Sequence, residues 1–259
     1  MRNVLAAFLA LSVSTSVVSG GDLEVLKLDG VVYQLYRLDA KHRANLDLVW
    51  TDSMGLPLGG FGGLVKEMNL QRKEVLFSTN AGIFEHGPKP CGLTISAGKE
   101  LVPLNLNDGD GNFYLKPNGV FFLDEQRGPG VMETVEYADA VTKGLRPRIA
   151  TQSGPLLLRN GKIHPVFDPQ SKNLRQRSGV GIRESDGQIV FLMSDRDLPD
   201  TRRVSFYKFA NAFLNLGCKD ALFLDGDISQ FLTQPDGATF STENTNTFAA
   251  MFVVTKGQP

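Results

Sequence analysis

The sequence predicts a single α+β domain over residues 21–259, with a large mixed, mostly antiparallel β-sheet and a few flanking helices. Three observations favour this class. Apolar runs of strand length are repeatedly separated by short turn signals, as in β-hairpins. Only two or three stretches show helical periodicity, and no internal repeat, linker or low-complexity tract divides the chain. Many strands with few helices are typical of α+β domains.

Hairpins are predicted where the residues accept the backbone conformations of tight turns. The Asp-Gly pair at 29–30 lies between alternating apolar runs, and the segment 116–119 joins a proline to an Asn-Gly pair within a predicted hairpin over 113–123. The predicted turns are at 29–30, 97–98, 116–119, 160–161 and 185–187, and further strands are expected over 46–51, 75–79, 149–159 and 247–255.

Helices are predicted over 62–70, 133–143 and 204–216. The last of these has apolar residues at the i, i+3, i+4, i+7, i+8 positions that form one face of a helix. Gly217 supplies the left-handed residue that commonly ends a helix. The apolar run 221–224 then predicts a buried strand. The apolar face of the predicted helix 204–216 consists of Phe206, Phe209, Ala210, Phe213 and Leu214.

The charge balance argues against a nucleic-acid partner. Lysine and arginine number 27 against 28 acidic residues, so the net charge is −1. Binding to a phosphate backbone needs a surplus of basic residues on one face. No block of like charge interrupts this balance.

Residues 1–20 read as a secretory signal peptide, because Arg2 is followed by an apolar run over 4–18 and then by small residues. The strongest apolar part, 4–13, is about half of the roughly 20 residues that cross a bilayer. We therefore expect an exported protein, periplasmic or secreted, with no stable membrane span after signal cleavage. In an exported chain Cys91 and Cys218 could form a disulfide, and two buried free thiols are the alternative.

Polar residues follow two of the predicted buried strands. Asp225, Asp227 and Ser229 come directly after the strand 221–224, and Asn80 follows the strand 75–79. Loops at strand ends are common places for functional side chains. The alternative is an ordinary Asp-Gly turn.

Arginines in the middle of the chain are suited to gripping phosphate or carboxylate. Arg177 precedes a strand entry of small residues, 178–182, where a ligand could approach the backbone closely. The nearby turn 152–154 contains Ser153, which could offer a hydroxyl or a backbone N–H to an anion, although it lacks the first glycine of a nucleophile elbow. His86 lies six residues beyond Asn80 on the same loop.

Three motif families are rejected on spacing. The segment 105–112 fails as a calcium loop, because its glycine register places Leu106 and Pro117 where oxygen ligands are required. The glycines over 59–63 lack the dinucleotide-binding pattern. The three histidines share no zinc-ligand spacing, so no metal site is predicted and no cofactor is certain; a divalent cation at Asp225 and Asp227 stays open.

Four segments, taken together and in order, resemble the phosphodiester glycosidase domain family, which includes the uncovering-enzyme catalytic domain, and especially its bacterial exopolysaccharide-related branch. The resemblance covers roughly residues 75–255. The chain departs from it by having Ala81 in an Asn-Gly-Gly-Phe motif and Asp227 where the family has glycine or serine; the four segments are 80–84, 152–155, 177–182 and 225–229.

The resemblance implies a hydrolase that cleaves the glycosidic bond of a sugar-1-phosphodiester, with a glycan or sugar phosphate as its partner. Asp225 is then expected to be the catalytic carboxylate and Arg177 the phosphate clamp. Asn80 is expected to orient reacting groups. Expected substrate contacts come from Gln152, Ser153, Gly154, Asp227, Ser229 and His86.

Two other functions remain open from the sequence. The carboxylate at Asp227 could mark a non-catalytic saccharide-binding module. Asp225 and Asp227 could instead be oxygen ligands of a divalent-metal phosphodiesterase, which would break the phosphorus–oxygen bond.

Overall fold

The computed structural model describes residues 23–194, 203–233 and 247–257, so the predicted signal peptide lies outside the described residues. All pairs of neighbouring strands within these ranges are antiparallel. The predicted α+β class is confirmed, with the strands divided among three main sheets. Among the described residues, no helix combines the length and apolarity needed to cross a membrane.

A seven-stranded sheet is the largest layer of the described part of the chain. Its strands, in spatial order, are Glu24–Leu28 (β1), Val31–Leu38 (β2), Ile189–Ser194 (β15), Ser178–Arg183 (β14), Cys218–Asp225 (β16), Leu156–Arg159 (β12) and Lys162–Ile163 (β13).

Two smaller sheets pack beside it. The five-stranded sheet has the order Gly128–Glu133 (β10), Gly119–Asp124 (β9), Pro147–Ser153 (β11), Thr94–Ser96 (β7) and Lys99–Val102 (β8). The four-stranded sheet has the order Phe231–Thr233 (β17), Val75–Asn80 (β4), Met251–Thr255 (β18) and Leu46–Val49 (β3). A two-stranded hairpin joins Phe84–Glu85 (β5) to Lys89–Pro90 (β6).

Three α-helices flank the sheets, at Phe61–Leu70 (α1), Thr134–Thr142 (α2) and Phe206–Asn215 (α3). Each of the three predicted helices is confirmed to within two residues at either end. Ser205 caps α3 by accepting a hydrogen bond from the Lys208 backbone N–H, and Gly217, with a φ of +78°, follows its last turn. A side chain at Gly181 of β14 would collide with the Phe213 ring, which shows how closely α3 packs on the seven-stranded sheet.

Strand β16 is buried on both faces. Successive side chains of a strand point to opposite sides of its sheet, and both sets are covered here. Ala221 and Phe223 pack under α3 in one apolar core. Leu222 and Leu224 pack in a second core that contains residues of all three main sheets. The strand that leads to Asp225 is therefore held rigidly from both sides.

The predicted hairpins are largely confirmed. Turns at 29–30, 97–98, 160–161 and 185–187 join paired strands, and Asn160 adopts the positive φ expected of a tight turn. The predicted hairpin over 113–123 is wrong. A short 3-10 turn, Asn112–Tyr114, and a cis Lys116–Pro117 bond lead into β9, which pairs with β10 instead.

Cys91 and Cys218 are free cysteines. Cys218 begins β16, whereas Cys91 lies close enough to Asp225, at the far end of that strand, to interact with its charge. An eight-residue strand spans about 23 Å, and disulfide-bonded Cα atoms lie within about 7 Å. The two thiols are therefore too far apart to form a disulfide.

An aromatic cluster at the centre of the second core joins two sheets. Phe77 of β4 is fully buried. Its ring stacks on Tyr36 of β2 at a centroid distance of 3.9 Å and also contacts Phe191 at 5.3 Å and Phe231 at 5.0 Å. This packing fixes the four-stranded sheet against the seven-stranded sheet.

We expect Phe77→Ala to lower the free energy of unfolding by about 3–5 kcal/mol, because the cavity would lie among rings that cannot collapse into it. Urea denaturation followed by circular dichroism measures the change. Leu70→Ala is the control, since Leu70 is 72% exposed and its loss should cost no more than about 0.5 kcal/mol. Equal losses in the two variants would contradict this assignment of the core.

Candidate active site

Four strand ends meet at one edge of the structure. Strand β4 ends at Asn80, β11 ends at Ser153, β14 begins at Ser178 and β16 ends at Asp225. Ser178 pairs with Asp225 across the seven-stranded sheet. Residues separated by up to 145 positions in the sequence are thereby brought to one place.

The Ser153 hydroxyl connects these ends. Its Oγ accepts a hydrogen bond from the Ile83 backbone N–H at 3.3 Å and donates one to the Leu224 carbonyl at 3.2 Å. Gly82 packs on the same residue, and its φ of +131° is a conformation that other residues rarely adopt. Ser153 is fully buried, so its hydroxyl serves to join the chain segments around Asp225.

Asp225 is partly exposed at the end of the rigid strand. The Gly226 N–H donates a hydrogen bond to its carboxylate at 2.6 Å. Burial, with repulsion from Asp227 as a smaller cause, raises the pKa of Asp225 from 3.8 to about 6 despite that hydrogen bond. A carboxyl group with a pKa near neutrality can exchange protons with a substrate.

The turn after Asp225 is fixed by buried polar contacts. Ser229 is fully buried, and its Oγ lies 2.8 Å from the Ser178 Oγ. Its backbone N–H donates to the Gly226 carbonyl, and its own carbonyl accepts from the Gln176 side chain at 3.0 Å. Ser229, predicted to contact substrate, is therefore placed beneath the turn, where it holds Asp225 in position.

The Asp227 side chain is held by two residues that precede β14, Arg175 and Gln176. Its carboxylate accepts a hydrogen bond from the Gln176 backbone N–H at 3.3 Å and pairs with the Arg175 guanidinium at 3.5 Å. Both side chains of this ion pair are more than half exposed. Exposed pairs of this kind contribute little to stability, so Arg175 can exchange this partner for a bound anion at low cost.

Arg177 is buried, in contrast to the exposed phosphate clamp expected from the sequence. Its side chain is 1% exposed. The guanidinium donates to the backbone carbonyls of Val204 and Asn173 and lies 3.5 Å from the centroid of the Phe206 ring. Burial lowers the pKa of Arg177 to about 10. The described residues enclose the charge, so in this structure Arg177 supports the site from within.

Asn80 is fully buried at the end of β4. Its Oδ1 accepts a hydrogen bond from the Thr79 hydroxyl at 3.2 Å, and its Nδ2 has no partner among the described residues. An unpaired buried donor is costly. The Asn80 amide therefore retains an unused donor below the surface at the end of β4, and its orienting role stays a prediction.

Gln152 and Gly154, both predicted to contact substrate, have structural contacts here. The Gln152 side chain accepts from the Asn105 and Leu93 backbone N–H groups and donates to the Asn105 carbonyl. Gly154 precedes a cis bond to Pro155 and has no room for a side chain. These residues shape the surroundings of Ser153.

His86 is exposed in the turn between β5 and β6. The pKa of Cys91 is raised mainly by burial, and the nearby carboxylates of Glu85 and Asp225 contribute to the increase. Cys91 was not among the predicted site residues. Arg175 was not among them either, because sequence alone does not show that it pairs with Asp227.

The described residues contain no group of three or more His, Cys, Asp or Glu side chains arranged to hold a metal ion. Asp227 is engaged by Arg175.

The part of the chain that contains these site residues is similar to known proteins. A family model described as phosphodiester glycosidase matches residues 73–255. The chain is 32% identical to the uncharacterized protein YigE of Escherichia coli (strain K12) over 228 residues, which cover 88% of this chain and 84% of that protein.

Two solved structures share the fold at 14% sequence identity. The zebrafish N-acetylglucosamine-1-phosphodiester alpha-N-acetylglucosaminidase catalytic domain, auto-inhibited by its pro-peptide, has a TM-score of 0.59 and matches over 91% of this chain and 82% of its own. A hypothetical protein from Synechocystis has a TM-score of 0.55, covering 96% of this chain and 64% of its own.

The raised pKa of Asp225 predicts a pH-dependent stability. An acid with a higher pKa in the folded protein binds its proton more strongly there, so stability falls as the pH rises from about 4 through about 6. We expect wild type and Asp225→Asn to differ little at pH 4 and the variant to be more stable by about 2 kcal/mol at pH 8.

Chemical denaturation at both pH values measures this difference. The same measurements on Asp110→Asn, an exposed loop residue, give the background change for an aspartate replacement. A difference between wild type and Asp225→Asn that is the same at pH 4 and pH 8 would contradict the raised pKa.

Proposed function

Since this chain belongs to the phosphodiester glycosidase family and is a hydrolase of that kind, we propose that it cleaves the glycosidic bond of a sugar-1-phosphodiester in a cell-envelope or extracellular glycan. The observation that carries the proposal is the position of Asp225. It is a partly exposed carboxylate at the end of a strand buried on both faces, where Ser153 of the five-stranded sheet bonds to Leu224 of the seven-stranded sheet and to Ile83 in the loop after β4.

The chemistry requires one well-placed carboxylate. The bond between the anomeric carbon and the phosphate oxygen breaks, and the phosphate monoester leaves with the bonding electrons. Water supplies a hydroxyl group to the anomeric carbon and a proton to a base. Phosphate is a good leaving group, so the reaction depends mainly on a carboxylate that accepts the proton of water or stabilises positive charge at the sugar. Asp225 fills this role in its ionised form.

The phosphate also needs a cation or N–H donors. Arg177 is enclosed, whereas Arg175 is exposed and its guanidinium pairs with Asp227 at 3.5 Å. Asp227 is near enough to Asp225 to contribute to its raised pKa, so this ion pair lies in the neighbourhood of the Asp225 carboxylate. We assign phosphate binding to Arg175, with Arg177 supporting the turn from inside.

The sugar and the location are part of the proposal. The zebrafish protein is named for its action on N-acetylglucosamine 1-phosphodiesters, which makes these the first substrates to test. The apolar run after Arg2, followed by small residues, supports export by signal peptide, and a glycan outside the cytoplasm is the matching substrate.

We expect Asp225→Asn to lower kcat on an N-acetylglucosamine 1-phosphodiester by about 10²- to 10⁴-fold, because an amide cannot accept the proton of water. Wild-type kcat/KM should rise with pH through about 6, where Asp225 ionises. Release of free sugar measures turnover. Water labelled with heavy oxygen should place its label on the sugar and leave the phosphate unlabelled.

Asp110→Asn is the matched control, since it makes the same replacement at an exposed loop residue; its effect should stay below about twofold. Equal kcat in wild type and Asp225→Asn would remove Asp225 from the mechanism. Label on phosphate would establish cleavage of the phosphorus–oxygen bond. Binding without turnover would favour a saccharide-binding module.

We expect Arg175→Ala to raise KM for the same phosphodiester by about tenfold, because one charge-assisted contact to phosphate is lost. Arg175→Lys should retain part of the affinity, since it keeps the charge and loses the planar fork. Steady-state kinetics at low ionic strength measures KM for the two variants. Arg127→Ala is the control, because Arg127 is exposed in the turn between β9 and β10 of the five-stranded sheet. An unchanged KM in Arg175→Ala would contradict the assignment.

A further inference from the structure

A cavity of about 560 Å³ is lined in part by Cys91, whose thiol interacts with the charge of Asp225. This volume lies within the range of about 300–1,000 Å³ typical of small-molecule sites. Its lining mixes one indole ring with amide, ammonium and carboxylate side chains; the members used below are Trp50, Glu85, Lys89, Cys91, Asn105 and Asn107.

Cys91 connects the cavity to the site. It lines the cavity, and its thiol lies within electrostatic reach of both Glu85 and Asp225. Its backbone N–H donates to the Ile83 carbonyl at 3.2 Å, and the Ile83 N–H in turn donates to Ser153. The cavity and the Asp225 site therefore share a wall.

Asn105 makes that wall rigid. Its backbone N–H and carbonyl are both bound by the Gln152 side chain, at 2.9 and 2.6 Å. Its side-chain Nδ2 donates to the Cys91 carbonyl at 2.9 Å, and its Oδ1 accepts from the Asn107 N–H at 3.0 Å. Each polar group named here is paired, so the loop is preorganised before a ligand binds.

Trp50 gives the cavity an aromatic surface. It is partly buried, and its indole N–H donates to the Pro88 carbonyl at 2.9 Å. The ring is thus held in one orientation on the cavity wall. A flat aromatic face packs against the C–H face of a sugar ring, and the exposed side chains of Glu85, Lys89 and Asn107 offer partners for hydroxyl groups around it.

We propose that this cavity is a saccharide subsite, which binds a sugar of the glycan beyond the sugar-1-phosphate unit that is cleaved. The inference rests on the proposed function and extends it, because it makes the substrate an oligomeric glycan. Because the cavity and the Asp225 site share a wall at Cys91, one glycan molecule could occupy both together.

The kinetic test compares two N-acetylglucosamine 1-phosphodiesters, one with a methyl group and one with a tetrasaccharide on the far side of the phosphate. Trp50→Ala should lower kcat/KM about tenfold for the tetrasaccharide ester and less than twofold for the methyl ester. Trp50→Phe is the matched variant, because it loses the bond to Pro88 and keeps an aromatic face; it should retain most of the selectivity. Equal losses on the two esters would overturn the subsite.

A binding test is independent of turnover. Trp50 is the only tryptophan in the chain, so its fluorescence reports directly on this cavity. Titration of Asp225→Asn with chitotetraose should shift the emission and protect it from acrylamide quenching, and Asn107→Ala should weaken the effect.

The two tests separate two kinds of failure. If both esters are hydrolysed, their selectivity decides the subsite and the proposed function stands in either case. If neither is hydrolysed, the proposed function fails and the fluorescence decides alone, with unchanged emission overturning the subsite.

Discussion

One buried hydroxyl group joins two sheets and a loop at the place where the chemistry is proposed. Ser153 ends a strand of the five-stranded sheet, accepts a hydrogen bond from Ile83 in the loop after the four-stranded sheet, and donates one to Leu224 in the seven-stranded sheet. A hydroxyl can donate and accept at once, which is what this junction requires. The next residue after Leu224 is Asp225, so the carboxylate proposed to be catalytic is positioned by this contact.

Most of the polar residues that point to the site are part of its support. Gln152, Arg177 and Ser229 are buried and bonded to backbone groups, whereas Asp225 and Arg175 are accessible. Hydrogen-bonded polar groups in a core cost little, while the same groups left unpaired cost a great deal. This gives the site a rigid inner layer and a small reactive surface.

Local sequence predicts local structure well in this chain. Hairpin turns and helices follow from Gly, Asn and Asp positions and from apolar periodicity, as at Asn160 and along α3. The predicted hairpin over 113–123 was wrong because β9 pairs with β10 and β11, which follow it in the sequence, and this choice of partner is not visible in residue type. The strand ends bearing Asn80, Ser153 and Asp225 were also identifiable. Burial was not, because it depends on which distant segment packs above each residue; Phe206, which covers the Arg177 guanidinium, is 29 positions away.

The surroundings of Cys91 have a chemical consequence. Burial and the nearby carboxylates raise the pKa of its thiol to about 11. The thiolate is the reactive form of cysteine, and at neutral pH only about one thiol in ten thousand would carry that charge. A sulfhydryl group near Asp225 is thereby kept slow to oxidise, alkylate or exchange with disulfides. Its burial contributes most to this protection, and the neighbouring carboxylates of Glu85 and Asp225 add to it.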